Sequence, residues 1–167
     1  MPAMPEAPQA TELPSLPREL RFAFVEASWH ADIVQRSRDA FFVEMARGGF
    51  AADAIDVFDV PGAFEIPLHV QRLAQSGRYA AVVGSALVVD GGVYRHDFVV
   101  QTVVQALMDV QLQTGVPVIS AVQAPHHFHE HVEHRRFLQQ HFALKGTEAA
   151  QAVLLTVAGL RRLDGRS

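Results

Sequence analysis

The chain has 167 residues, 49% of them hydrophobic and 19% charged, with a formal net charge of −4 and an isoelectric point near 6.1. That length suits one domain, and the acidic balance carries no basic stripe of the kind nucleic acid requires; the densest basic spots, Arg135-Arg136 and Arg161-Arg162, read as solvated helix faces. The absence of cysteine excludes disulfides, thiol catalysis and thiolate metal sites, and fits a cytoplasmic protein.

Residues 1–18 are rich in Pro, Ala and Glu and show no periodicity. A charged start followed by an apolar core is missing, so the stretch does not read as a signal peptide. It is expected to be a disordered or extended arm ahead of a single α/β domain over residues 19–167. No apolar run approaches the ~20 residues that a membrane span requires. LRFAFVEA (20–27) is a short apolar run with aromatics, the pattern of a buried strand. Residues 32–48 follow a helical period through Ile33, Val34, Ala40, Phe41 and Met45, and Gly48-Gly49 stops it. AIDVFDV (54–60) reads as a second strand, Pro61-Gly62 as a turn, and residues 64–76 as a helix ending at Gly77. AAVVGSALVV (80–89) reads as a third strand, and residues 96–114 as a long amphipathic helix closed by Gly115. VPVISAVQ (116–123) reads as a fourth strand. Residues 130–142 and 147–161 read as two further helices, with Gly146 near the break between them.

Continuous apolar strands alternating with helices indicate a parallel sheet covered on both faces. The expected architecture is a three-layer flavodoxin-like α/β sandwich with a central four-stranded, mostly parallel sheet. In such folds ligands bind beyond the carboxyl ends of the strands. Trp29, the only tryptophan, follows the first strand; its face suits stacking on an aromatic ligand, and it equally suits a core or interface position. Pro61-Gly62 ahead of a helix start leaves backbone N–H groups for carbonyls or anions. Glu65 reads either as an acceptor of N–H groups from a heterocycle or as a first-turn glutamate complementing the helix dipole. Gly91-Gly92 resembles a phosphate-binding turn without either of the established glycine spacings. Six of the nine histidines fall in PHHFHEHVEHRRFLQQH (125–141). HExxH is absent, so these histidines, with Arg135, Arg136 and Lys145, read as a cationic rim for an anion such as phosphate rather than as a metal site.

VPGAFEIP (60–67), ALVVDGGVYRHDFV (86–99), GVPVIS (115–120) and LKGTEAA (144–150) together resemble the lumazine synthase family, over residues 20 to 158. WHADI, YRHDF and PHHFHE are similar to its second, Brucella-like type, which assembles as a decamer of two pentamers rather than a closed shell. The resemblance implies the penultimate step of riboflavin biosynthesis: 5-amino-6-(D-ribitylamino)uracil condenses with 3,4-dihydroxy-2-butanone 4-phosphate, releasing phosphate. It implies no metal or organic cofactor, and a site between neighbouring subunits of a pentamer. By position, Trp29 stacks on the pyrimidine, and Ala63, Phe64 and Glu65 bind the ribityl chain. Leu87, Val88 and Val89 read the ring through their backbone, and Gly92 and Val93 form the turn at the phosphate. Ser120 falls where the family commonly has a phenylalanine from the neighbouring subunit. His134 falls where it commonly has the phosphate-binding arginine, and Lys145 matches the following lysine.

The family's acid/base histidine precedes an aromatic and an aspartate. Here the three slots hold Arg95, His96 and Asp97. An arginine cannot usefully be deprotonated near neutral pH, but it can stabilise a leaving phosphate. The expected division gives charge to Arg95, proton transfer to His96, and orientation or helix capping to Asp97. The competing reading is that His96 packs where the aromatic was. A different functional class also fits: with the usual histidine and arginine both replaced, a flavin- or lumazine-binding assembly with little catalysis.

Overall fold

The computed structural model describes residues 11–89, 96–125 and 132–166. Strand β1 (Phe22–Ala27) leads to helix α1 (Ala31–Arg47), and β2 (Ile55–Val60) leads through a single 3-10 turn (Ala63–Glu65) into α2 (Ile66–Gln75). Then follow β3 (Ala81–Leu87), α3 (His96–Thr114), β4 (Val118–Gln123) and α4 (Val132–Leu163). A short 3-10 turn at Ala52–Ala54 ahead of β2 was not expected from the pattern. The sheet order is β2-β1-β3-β4, and every neighbouring pair is parallel. This is the expected flavodoxin-like arrangement, with the two central strands buried along their whole length.

Alternation along the strands divides the core in two. Phe22 and Phe24 point to α1 and α4, where Phe41, Met45, Ala150, Val153 and Leu154 meet them. Ala23, Val25 and Ala27 point the other way, onto Ile66, Val70, Leu107 and Val110 of α2 and α3. Ahead of β1, residues 11–18 form no helix or strand. Leu16 is buried in the first of these clusters and Leu13 packs against it. Arg47 donates to the Thr11 carbonyl at 2.8 Å, and Arg18 donates to that of Gly49.

One expectation is corrected. Residues 130–142 and 147–161 do not form two helices; α4 runs without interruption from Val132 to Leu163. Gly146 is not a break but a crossing point. A Cβ placed there would lie 2.0 Å from the Ser37 carbonyl oxygen, so α1 and α4 touch backbone to backbone. Glycine costs about 1 kcal/mol against alanine inside a helix, which is small beside the packing that this close approach allows along two long helices.

Candidate active site

The carboxyl ends of β1 and β2 are joined beyond the strands themselves. Ser28 donates its N–H to the Val60 carbonyl at 2.7 Å and Trp29 donates to that of Pro61 at 3.3 Å. These two bonds carry Trp29 alongside the Pro61-Gly62 turn. Its indole lies directly on Gly62: a Cβ there would fall 2.5 Å from Cζ3 and 2.7 Å from Cε3. Gly62 is in extended conformation, so its need is for space and not for an unusual dihedral. The tryptophan is 65% exposed, which excludes the core position considered from sequence. His30, next in the chain, takes the left-handed conformation (φ 57°) and opens α1.

The Pro61–Glu65 turn is closed by a reciprocal pair. Gly62 donates its N–H to Glu65 Oε2 at 3.0 Å, and Glu65 donates its own N–H to the Gly62 carbonyl at 3.2 Å. Glu65 is therefore a capping residue whose half-buried carboxylate sits at the mouth of the turn. His69 Nδ1 lies 3.0 Å from the Glu65 carbonyl oxygen. Beside Glu65, Ala63 is buried and the Phe64 ring is 70% exposed. The turn packs against α3 as well as α2, which brings the helix opened by His96 to the same edge of the sheet.

At the end of β3, Leu87 is buried with Ile33, Val34, Leu138 and Phe142, and Val89 packs against that cluster. Val88 faces the opposite layer and donates its N–H to the Gln123 carbonyl at 2.9 Å, extending the β3–β4 ladder by one bond. What this segment presents at the sheet end is backbone, since its side chains are committed to packing. His96 is the first residue of α3 and is half-exposed, with Asp97 in its first turn.

Trp29, Ala63, Phe64, Glu65, Leu87, Val88 and Val89 are thus gathered at one end of the sheet; Ser120 and Lys145 are not, and His134 stands on the first turn of α4, whose Arg135 and Leu138 reach Asp32 and Leu87. Ser120 sits mid-strand on the edge strand β4, opposite Gly84, which in turn pairs with Val25 of β1. It is exposed, and its hydroxyl accepts from the Val122 N–H at 3.3 Å. His134 and Lys145 lie eleven residues apart on the continuous α4, three turns along one face and about 16 Å in rise. Lys145 is paired with Glu148 at 2.9 Å. The His134 ring stacks with Phe137, which stacks in turn with His141. Arg135 is held by Asp32 of α1 at 2.5 Å. Arg95, Gly92 and Val93 lie outside the described residues, as do His126, His127 and Gly91. Among the described residues no group of three or more His, Asp or Glu could hold a metal ion, and no helix is long and apolar enough to cross a membrane.

Sequence reasoning missed a buried polar group just beneath this site. Glu26 is 1% exposed in β1, and Arg38 of α1 donates to its Oε1 at 2.7 Å. Ser37 and Ser85 share a hydrogen bond of 2.7 Å between their hydroxyls, and both are fully buried. The available signal was the lone charge inside FAFVEA.

Residues 19–161 match a family model described as 6,7-dimethyl-8-ribityllumazine synthase. Relatives carry the same name. "6,7-dimethyl-8-ribityllumazine synthase 2" of Pseudomonas syringae pv. tomato is 58% identical over 149 residues, 87% of this chain and 88% of its own. The synthase of Rhodococcus erythropolis is 56% identical, over 86% of this chain and 92% of its own. A "synthase 2" of Bradyrhizobium diazoefficiens is 52% identical, over 95% of each chain.

Proposed function

The chain belongs to the 6,7-dimethyl-8-ribityllumazine synthase family, the enzymes of riboflavin biosynthesis, and on that premise we propose how its residues share the work. The reaction is condensation of 5-amino-6-(D-ribitylamino)uracil with 3,4-dihydroxy-2-butanone 4-phosphate. The amine attacks the ketone, an imine forms with loss of water, phosphate leaves, and the ring closes with loss of a second water to give the lumazine. The observation that carries this assignment is the exposed Trp29 ring seated on Gly62 beside the Glu65-capped turn. A flat apolar face next to a carboxylate fits a planar, N–H-rich pyrimidine.

In this reading the Glu65 carboxylate, with the Ala63–Phe64 segment beside it, takes the ribityl chain and its adjoining N–H. The backbone of Leu87, Val88 and Val89 takes the pyrimidine edge. Gly92 and Val93 cradle the phosphate, Arg95 stabilises it as it leaves, and His96 moves the protons of imine formation and elimination. Holding two reactive substrates together supplies much of the acceleration, and no cofactor is required. Ser120 lies away from Trp29 in its own chain, so it contributes from a neighbouring subunit, as do His134 and Lys145 if either reaches the phosphate. That requires an oligomer: a pentamer, paired as the decamer of the second type of the family. A cytoplasmic location fits substrates of this kind.

A steady-state assay with both substrates, following lumazine absorbance in the presence of EDTA, tests the assignment. Turnover unaffected by chelator supports it. Tight binding of the pyrimidine or of riboflavin without turnover replaces it with the carrier reading, in which the substituted Arg95 and His134 positions leave binding intact and chemistry lost.

A further inference from the structure

We propose that Glu26 is a positioning residue for this reaction: its carboxyl and that of Asp59 form a proton-sharing bridge that holds the ends of β1 and β2 at the separation which seats Trp29 on Gly62. The consequence for substrate binding rests on the reading of Trp29 as the ring platform; the bridge itself does not.

Glu26 and Asp59 are direct partners in the parallel β1–β2 pair, so their side chains leave the same face of the sheet. That face is covered by α1, which contributes Arg38 to the Glu26 Oε1 and places Asp39 3.5 Å from the same guanidinium. On its other side Glu26 pairs with Ser85 of β3, whose hydroxyl is engaged by Ser37. Arg38 and Asp59 are the charged groups that act on the Glu26 carboxyl, and Asp39 meets it only by way of Arg38. The second oxygen, Oε2, is buried and meets no donor among the described residues. The register sets the Asp59 carboxyl beside it, the group placed to share a proton with Oε2, and a hydrogen bond to Asp59 raises the Glu26 carboxyl.

Two carboxylates in contact cannot both ionise cheaply, and a hydrogen bond joins them only when one carries a proton. Burial decides which. Burial first, and then Asp59, push the Glu26 carboxyl up to about 7 against the opposing Arg38. Below neutral pH, Glu26 Oε2–H therefore donates to Asp59 while Oε1 accepts from Arg38. As pH rises through 7 the proton leaves, and two carboxylates face each other across the strand pair. The bonds just beyond, from Ser28 to Val60 and from Trp29 to Pro61, are the ones that carry the indole onto Gly62. At 3.3 Å the Trp29 bond is the longer of the two and yields first.

Trp29 is the only tryptophan, so its emission reports the seat directly. The experiment titrates that emission across the neutral range in the full-length protein, in Glu26→Gln and in Asp59→Asn. Calorimetric Kd values for 5-amino-6-(D-ribitylamino)uracil are taken at the same pH values. The wild type should show a transition with its midpoint near 7 and a several-fold weaker Kd above it. Glu26→Gln keeps a donor toward Asp59 and does not titrate, so it should lose the transition and hold the acid-side affinity. Asp59→Asn should move the midpoint to lower pH. It alters an exposed side chain and decides the matter even where Glu26→Gln is not stably folded. A transition unchanged in these variants belongs to another group and overturns the proposal, as does a wild type without one. If emission follows Glu26 but Kd does not, the bridge stands, and the reading of Trp29 as the platform is what fails.

Discussion

The indole of Trp29 rests on the backbone of Gly62 so closely that a single methyl group would fall 2.5 Å from Cζ3. Gly62→Ala must therefore lift the ring off its seat. An aromatic stack is worth about 0.5–1.5 kcal/mol beyond area burial, so the Kd for the pyrimidine substrate should weaken by up to about tenfold. Thermal stability should change little, because the ring is largely exposed. Trp29→Ala should weaken binding at least as much. Titration calorimetry of both variants checks this, and unaltered affinity in both would remove Trp29 from the site.

Gly146→Ala offers a contest between two effects of opposite sign. In an isolated helix alanine would gain about 1 kcal/mol over glycine. Here its Cβ would meet the Ser37 carbonyl oxygen at 2.0 Å, and the obstacle is backbone that cannot rotate away. Overpacking of this kind costs about 1–3 kcal/mol or more, so the net effect is destabilising and the melting temperature should drop by several degrees. A melting temperature above wild type would show that α1 and α4 do not cross as closely as described.

The same glycine shows where the sequence was legible and where it was not. Apolar runs and their Gly or Pro punctuation mark β1, β3, β4 and α3 because those signals are local. Gly146 was read as a helix break because glycine usually is one. Its reason for standing inside α4 is Ser37, more than a hundred residues earlier, which no local pattern reveals. Glu26 fails to be legible for a related cause: a lone charge in a buried strand announces that a partner exists, but Arg38 and Asp59 are chosen by helix packing and strand register. Trp29, Gly62 and Glu65 were legible as a group because each follows a strand end, and parallel strands bring their carboxyl ends together. Ser120 entered by family resemblance alone, whereas His134 and Lys145 were also read as part of a cationic rim; within one chain Ser120 and Lys145 stay apart from that group.

Asp56 gives a pH-dependent prediction at the opposite end of the sheet. It accepts hydrogen bonds from the Tyr79 hydroxyl and from Arg21, each at 2.6 Å. The Tyr79 hydrogen bond, with Arg21 and Arg78 nearby, holds its carboxyl below the ordinary 3.8. A depressed carboxyl contributes stability that is present above its unfolded value and lost as pH falls through the folded one. Tyr79→Phe should therefore cost about 1 kcal/mol at neutral pH, the ordinary size of a hydrogen bond because the charged partner is partly exposed, and much less in strong acid. Urea melts of both proteins at pH values above and well below 3.8 check this. An equal loss at both would attribute the effect to packing of the ring.

Glu26 works in the reverse sense. Its folded value of about 7 lies above the ordinary 4.5, so the stability it contributes is complete below 4.5 and declines as pH rises through 7. Glu26→Gln should flatten the stability profile between those limits, measured by urea melts across that window. A wild-type profile that rises through the same window would contradict the raised carboxyl.

His96 is the last test, and the size of the effect carries the meaning. A general acid or base working in the transition state contributes about 10²–10⁴-fold. If the slot preceding it, now Arg95, has given up proton transfer, and if juxtaposition of two reactive substrates supplies most of the rate, His96→Ala should lower kcat by only about tenfold, with KM for both substrates nearly unchanged. Arg95→Ala should instead raise KM for the phosphate-bearing ketone, because an arginine at a leaving phosphate acts through charge. The two substitutions thus separate in kinetic parameter as well as in size. A fall of about 10³ in kcat for His96→Ala would make His96 the principal acid/base group. No change at all would mean that the imidazole packs where the family keeps an aromatic ring, and that proton transfer passes through solvent or through the substrates themselves.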